Sequence, residues 1–434
     1  MRLLRGLREL VHDAIDGVTN LVEETHESAA RKPVELLAQV APLEGPVRKL
    51  DEVRRFTART VFDGVRAVNR GVREIGDAVD SLVGAVVDEL TPAGAAGSGP
   101  ALPAAARAWV DAAQGGLNGV LGDFLRDQQN GLAIELGFRH EGAPLALTRE
   151  ALTRALGSPT PKLCVFVHGL GCTELVFRPG ASDPTAGADT ARVDYGARLT
   201  SELGFTALYV RYNSGLHVSE NGRELARLLD ELVASYPCEL QELALIGHSM
   251  GGLVARSAAH YAQADQRAWI RHLRHVVCIG SPHLGAPLEK AGNAIASVLG
   301  VFDVAGTQVP AKLLNARSAG IKDLRFGYVL DEEWTDRDPD TFLRDERRDV
   351  PFAEGVSYAF IAATCHLDAK HPLGTWLGDM LVRVPSASGQ APDATRHIPF
   401  HLGSVLHGIH HQALLTHPKI YEQLALFLRD RVNA

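Results

Sequence analysis

The chain has 434 residues, 46% of them hydrophobic and 22% charged, with a formal net charge of -8 at pH 7. This length suits one large or two ordinary domains, and the composition is that of a soluble globular protein. The acidic balance argues against a nucleic-acid partner, and no apolar run is long enough to suggest a membrane-spanning helix.

The N-terminus, Met1-Arg2-Leu3-Leu4-Arg5-Gly6-Leu7-Arg8-Glu9, spaces its apolar residues with charges and so lacks the continuous apolar core of a secretory signal. Residues 1–92 read as a helical region. Leu4, Leu7, Val11, Ile15, Val18 and Val22 recur at three- and four-residue steps, and a longer stripe runs from Leu50 to Leu82. Charges of both signs are mixed through it with no polybasic face, which favours a helical hairpin or bundle over a segment lying on a lipid surface. Residues 93–105, rich in Ala, Gly, Ser and Pro, read as a flexible linker. A third region, 106–434, follows. It starts with a helix around Trp109–Leu125. A hairpin comes next, with strands at Leu132–Phe138 and Pro144–Leu147 about the turn Arg139–Ala143.

From Lys162 the pattern alternates strand and helix. Leu163–Val167 is a continuous apolar run, as expected of a strand covered on both faces. Phe205–Val210, Leu243–Ile246, His275–Ile279 and Val356–Ala362 are further strands, with helical patterns such as Arg223–Leu232 between them. Repeated strand–helix units imply a mostly parallel sheet flanked by helices, with reactive groups gathered at the carboxyl ends of the strands. Between about Gly285 and Glu354 the alternation stops. This long insertion holds Phe302, Leu313, Leu314, Ile321, Leu324, Phe326 and Trp334, and it reads as a lid or substrate-binding segment.

The chemistry centres on Leu243-Ala244-Leu245-Ile246-Gly247-His248-Ser249-Met250-Gly251-Gly252. A buried strand runs into Gly-x-Ser-x-Gly and then into a helix, the context of a sharp turn that exposes a serine hydroxyl. Serine is a weak nucleophile, so it needs a base, a group that orients the base, and donors for an oxyanion. The glycine-rich turn His168-Gly169-Leu170-Gly171-Cys172 supplies donors: the backbone N–H groups of Leu170 and Met250 are expected to form the hole. For the acid, Asp379 in Gly378-Asp379-Met380-Leu381-Val382 is favoured over Asp368 by chain position. For the base, His411 at a loop-to-helix junction is favoured over His410, from a tail that also carries His397, His401, His407 and His417. These histidines lack zinc-site spacings, so no metal and no cofactor is expected. The five cysteines, Cys164, Cys172, Cys238, Cys278 and Cys365, are sparse and unpaired in spacing, which fits reduced thiols in a cytoplasmic protein. Cys172 is read as a packing residue before a nucleophile.

Residues 163–434 resemble α/β-hydrolases of the lipase/esterase superfamily, in particular a bacterial branch related to the inositol deacylases of GPI anchors. The resemblance is carried by His168-Gly169-Leu170-Gly171, Tyr209–Gly215, Gly247–Gly252, Gly280-Ser281-Pro282-His283-Leu284-Gly285-Ala286-Pro287, Gly378–Val382 and the His411-x-x-Leu-Leu tail. It implies an α/β-hydrolase fold, with Ser249 as nucleophile, Asp379 and His411 as its partners, and hydrolysis of lipid or other acyl esters through an acyl-enzyme. Two other readings stay open: an acyltransferase with the same triad, and a hydrolase-fold scaffold that works through its helical N-terminus, with a lipid surface as one setting for it.

Overall fold

A computed structural model of the chain describes residues 70, 104–127, 129–178, 192–286, 318–336, 345–366 and 378–429. The expected N-terminal helical region apart from Arg70, most of the linker, the centre of the 285–354 insertion, and Asp368 lie outside the described residues. The chain divides into two compact units, residues 1–113 and 114–434. Helix α1 (Ala104–Asp127) starts one residue before the end of the expected linker. No helix among the described residues is long and apolar enough to cross a membrane.

The second unit is built on an eight-stranded sheet. Its strands are β1 (Gly137–His140), β2 (Ala143–Pro144), β3 (Lys162–Val167), β4 (Phe205–Arg211), β5 (Glu242–His248), β6 (Leu273–Ile279), β7 (Ser357–Thr364) and β8 (Leu402–His407), in the order β2-β1-β4-β3-β5-β6-β7-β8. The run from β4 to β8 is parallel throughout, while β1 pairs antiparallel with both β2 and β4. The helices after α1 are α2 (Arg149–Leu156), α3 (Tyr195–Leu203), α4 (Val218–Ser235), α5 (Met250–Ala264), the short α6 (Ala319–Asp323) and α7 (Val384–Ala387), and α8 (Pro418–Arg429).

Side chains alternate across each strand and so feed two cores. Leu163, Val165 and Val167 of β3 join Leu245 of β5 in a core covered by α4 and α5. Cys164 and Phe166 join Ile246 and Val277 in a second core covered by α3 and α8. Burial on both faces is why these strands read as continuous apolar runs. Helix α4 covers the first core with Leu225, Leu228, Leu229 and Leu232, a three- and four-residue stripe. Helix α3 starts where the Asp194 Oδ1 accepts the Ala197 N–H at 2.8 Å and ends at Gly204 with φ of 70°.

Two expectations need correction. The hairpin is shorter than expected: β1 begins at Gly137, because Leu132 is exposed and the segment before Gly137 forms turns. Its turn falls at Glu141-Gly142, both with positive φ (51° and 82°), the geometry that makes tight two-residue turns. The sequence also gave no sign of β8, whose residues alternate half-buried and exposed, the mark of an edge strand covered on one face.

Candidate active site

The sheet ends where the chemistry is expected. Strand β5 lies between β3 and β6 in the middle of the sheet, and Ser249 sits between its last residue and α5. Ser249 has φ of 54° and ψ of -125°, a strained region for a residue with a side chain. The Ser249 N–H donates to Ile279 O at the end of β6 (2.8 Å), which ties the strained turn to the neighbouring strand. Gly251 lies so close to the carbonyl oxygens of Val167 and His168 that a Cβ there would collide with them. The helix therefore approaches the sheet only with glycine at that position. Ser249 itself is half-buried, at the positive end of α5.

Asp379 and His411 meet beside this turn. The His411 Nδ1–H donates to Asp379 Oδ2 at 2.7 Å, and the His411 main-chain N–H donates to Asp379 O at 3.0 Å. Asp379 Oδ1 accepts the N–H groups of Leu381 (3.1 Å) and Val382 (2.8 Å), in a tight loop whose Gly378 and Met380 both have positive φ. The carboxylate is thus held by three bonds, and both side chains are almost fully buried. A carboxylate only accepts, so the imidazole proton sits on Nδ1 and leaves Nε2 as the basic atom. A Cβ at Gly280, next to the Ile279 carbonyl that holds Ser249, would stand 3.4 Å from both His411 Cε1 and Asp379 Oδ2. His410 is exposed and precedes the 3-10 helix His411–Leu415.

The glycine-rich turn after β3 lies over the serine. A Cβ at Gly169 would be 3.1 Å from Ser249 Cβ. Leu170 follows Gly169 in this turn, and Met250, the first residue of α5, follows Ser249. Gly171 turns with φ of 67° and donates its N–H to Ser214 Oγ (2.9 Å). Helix α1 presses on the same turn: a Cβ at Gly119 would stand 2.7 Å from Gly171 Cα.

Several residues around the site had no role assigned from sequence. The His248 ring lies 4.7 Å from the His411 ring and donates from Nε2 to His411 O at 3.3 Å, which holds the loop carrying His411. Burial, with His411 nearby, keeps the His248 pKa well below the usual imidazole value, so it serves as a neutral strut. His168 stacks on Tyr212, whose hydroxyl donates to His168 O at 2.8 Å. Burial pushes its pKa down to about 4. His248 belongs to the Gly-x-Ser-x-Gly motif and Ser214 to the Tyr209–Gly215 motif, but their partners are more than forty residues away in sequence. Cys164 and Cys278 are fully buried packing residues. Burial raises the Cys172 thiol to about 11, which keeps it protonated at neutral pH. The cysteines are free, and no group of three or more His, Cys, Asp and Glu among the described residues could hold a metal ion.

A parallel sheet covered on both faces, with a strained serine between its central strand and the following helix, gives the chain an α/β-hydrolase fold. Within that fold the chain resembles PGAP1-like proteins: residues 209–384 match a family described as a PGAP1-like alpha/beta domain. No curated protein matches the chain. Similar solved structures include the mature form of the Bacillus licheniformis lipase BlEst2 (18% identity, 68% of this chain and 96% of that one, TM-score 0.38). They also include Staphylococcus hyicus lipase (16% identity, 62% and 95%, TM-score 0.34) and phospholipase PlaB from Legionella pneumophila (15% identity, 63% and 61%, TM-score 0.39).

Proposed function

We propose that the chain hydrolyses carboxylic acyl esters through a Ser249–His411–Asp379 triad. The observation that carries this reading is the 2.7 Å bond from His411 Nδ1 to the buried Asp379, beside the strained Ser249 turn. His411 Nε2 takes the hydroxyl proton as Ser249 attacks the ester carbonyl. The N–H groups of Leu170 and Met250 hold the oxyanion, and Asp379 stabilises the imidazolium. The alcohol leaves with the proton from His411. A water, deprotonated by the same ring, then releases the acid and restores Ser249. The free thiols suit a reducing, cytoplasmic setting.

The test is labelling with a fluorophosphonate and peptide mapping, together with turnover of a short p-nitrophenyl ester. Wild type is expected to carry one adduct on Ser249. Ser249→Ala is expected to lose both adduct and turnover, and His411→Ala to label at least a hundredfold more slowly. Ester turnover that persists in folded Ser249→Ala overturns the assignment. Product analysis with added alcohol separates hydrolysis from acyl transfer.

A further inference from the structure

A second charged site lies outside the triad. One cleft is lined by Arg256, His283, Glu333, Arg347, Arg348 and Arg396, residues from α5, from the loop after β6 and from the segments around positions 345 and 395. Arg256 is 5% exposed, and burying a guanidinium is costly unless an anion pairs with it. No carboxylate among the described residues pairs with it: its Nη1 donates to His283 Nδ1 (3.1 Å), and its buried Nε has no hydrogen-bond partner.

Arg256 can only donate, so His283 Nδ1 accepts and the ring proton sits on Nε2. That Nε2 is buried without a partner, on a residue only 1% exposed. Two buried donors on cleft-lining residues thus lack an acceptor, which is rare in folded proteins.

The neighbouring acids are engaged elsewhere. Glu333 accepts three main-chain N–H groups, from Val329, Leu330 and Arg348 (2.6, 2.7 and 2.8 Å). Asp345 pairs with both Arg347 (2.7 Å) and Arg396 (3.2 Å). The exposed Arg348 guanidinium and the buried Arg256 are left to a ligand. With the nearby Asp349 counted, the cleft carries one net positive charge.

We propose that this cleft binds a phosphoryl oxyanion, the phosphate group of a small molecule or of a lipid headgroup, with Arg256 as its buried anchor. The lining arginines come from separate chain segments, which suits a tetrahedral group with oxygens facing several directions more than a planar carboxylate. The site is independent of the ester-hydrolase reading, and its test reads binding rather than turnover.

The test is isothermal titration calorimetry of the full chain at pH 7 with inorganic phosphate, glycerol 3-phosphate and sodium acetate. Phosphatidylglycerol vesicles are tested by co-sedimentation. Wild type is expected to bind inorganic phosphate saturably at one site and to bind acetate at least tenfold more weakly. Tighter binding of glycerol 3-phosphate points to a soluble phosphoester, and vesicle binding that phosphate competes away points to a lipid headgroup. Arg256→Met is expected to weaken phosphate binding at least tenfold, and Arg348→Ala several-fold. Arg348 is exposed, so its variant keeps the test sound if Arg256→Met fails to fold. Absence of saturable phosphate binding overturns the proposal, as does affinity unchanged in Arg348→Ala and in any Arg256→Met that folds. Acetate binding as tight as phosphate overturns the phosphoryl assignment.

Discussion

The packing of α1 on the turn that carries Leu170 leads to a prediction in which stability and activity part company. In Gly119→Ala the new Cβ stands 2.7 Å from Gly171 Cα and 2.8 Å from its N. Carbon atoms settle at about 3.5–4.0 Å, so helix and turn must separate by about 1 Å. The helix is poorly placed to retreat. Ser318 Oγ donates to Gly119 O (2.6 Å), Ala319 N–H donates to Asp123 Oδ2 (2.9 Å), and Asn213 Nδ2 donates to Gly122 O (2.8 Å). The turn therefore gives way, and Leu170, next to Gly171, moves with it. In the proposed mechanism Leu170 donates to the oxyanion, and a shift of about 1 Å in such a donor costs about a hundredfold in rate. Helix propensity favours alanine over glycine by about 1 kcal/mol, which offsets part of an overpacking cost of about 1–3 kcal/mol. The variant is thus expected to unfold within a few degrees of wild type while kcat on a p-nitrophenyl ester and the rate of fluorophosphonate labelling fall about a hundredfold. A folded variant with kcat within twofold of wild type refutes the idea that α1 positions the oxyanion turn.

Asp379→Asn leaves the His411 contact in place but reverses the donor, so the ring takes the wrong tautomer. Turnover is expected to fall about ten-thousandfold, and a loss below tenfold in steady-state kinetics counts against Asp379 as the orienting acid. Glu174 and Arg211 form a buried pair with two bonds of 2.6 and 2.7 Å. Glu174→Ala removes both of these bonds to a buried guanidinium and is expected to cost about 3–5 kcal/mol in urea unfolding; a cost below 1 kcal/mol means the pair is not closed off from water. His168 has its folded pKa depressed to about 4, below an unfolded value of about 6.5. Its contribution to stability is present above about pH 6.5 and is lost as pH falls through 4, up to about 3 kcal/mol. Unfolding free energies measured across that window are expected to fall less steeply in His168→Gln, by up to one proton; an unchanged slope assigns the acid sensitivity elsewhere.

Much of the fold was legible because double burial is written locally. Strands β3 and β5 are apolar on both faces, so Leu163–Val167 and Leu243–Ile246 announced themselves without any knowledge of their partners. The serine turn was equally local, since Gly-x-Ser-x-Gly between a strand and a helix specifies both the backbone path and the place of the serine on it. Strand β8 was not legible, because a strand covered on one face, here interrupted by Gly403 and Ser404, looks like a polar loop.

The site itself divides in the same way. The sequence by itself determined a parallel sheet with a strained serine at the end of a central strand, because burial pattern and turn chemistry act over a few residues. Which histidine meets the acid could not be decided so: His410 and His411 are neighbours, and only the path of the chain past Asp379 turns one outward and buries the other. The same holds for the struts His248 and Ser214, for the pressure of α1 on the oxyanion turn, and for the arginines around Arg256. Each joins residues far apart in sequence, and such contacts are fixed by packing in three dimensions, which a local pattern of residue types does not encode.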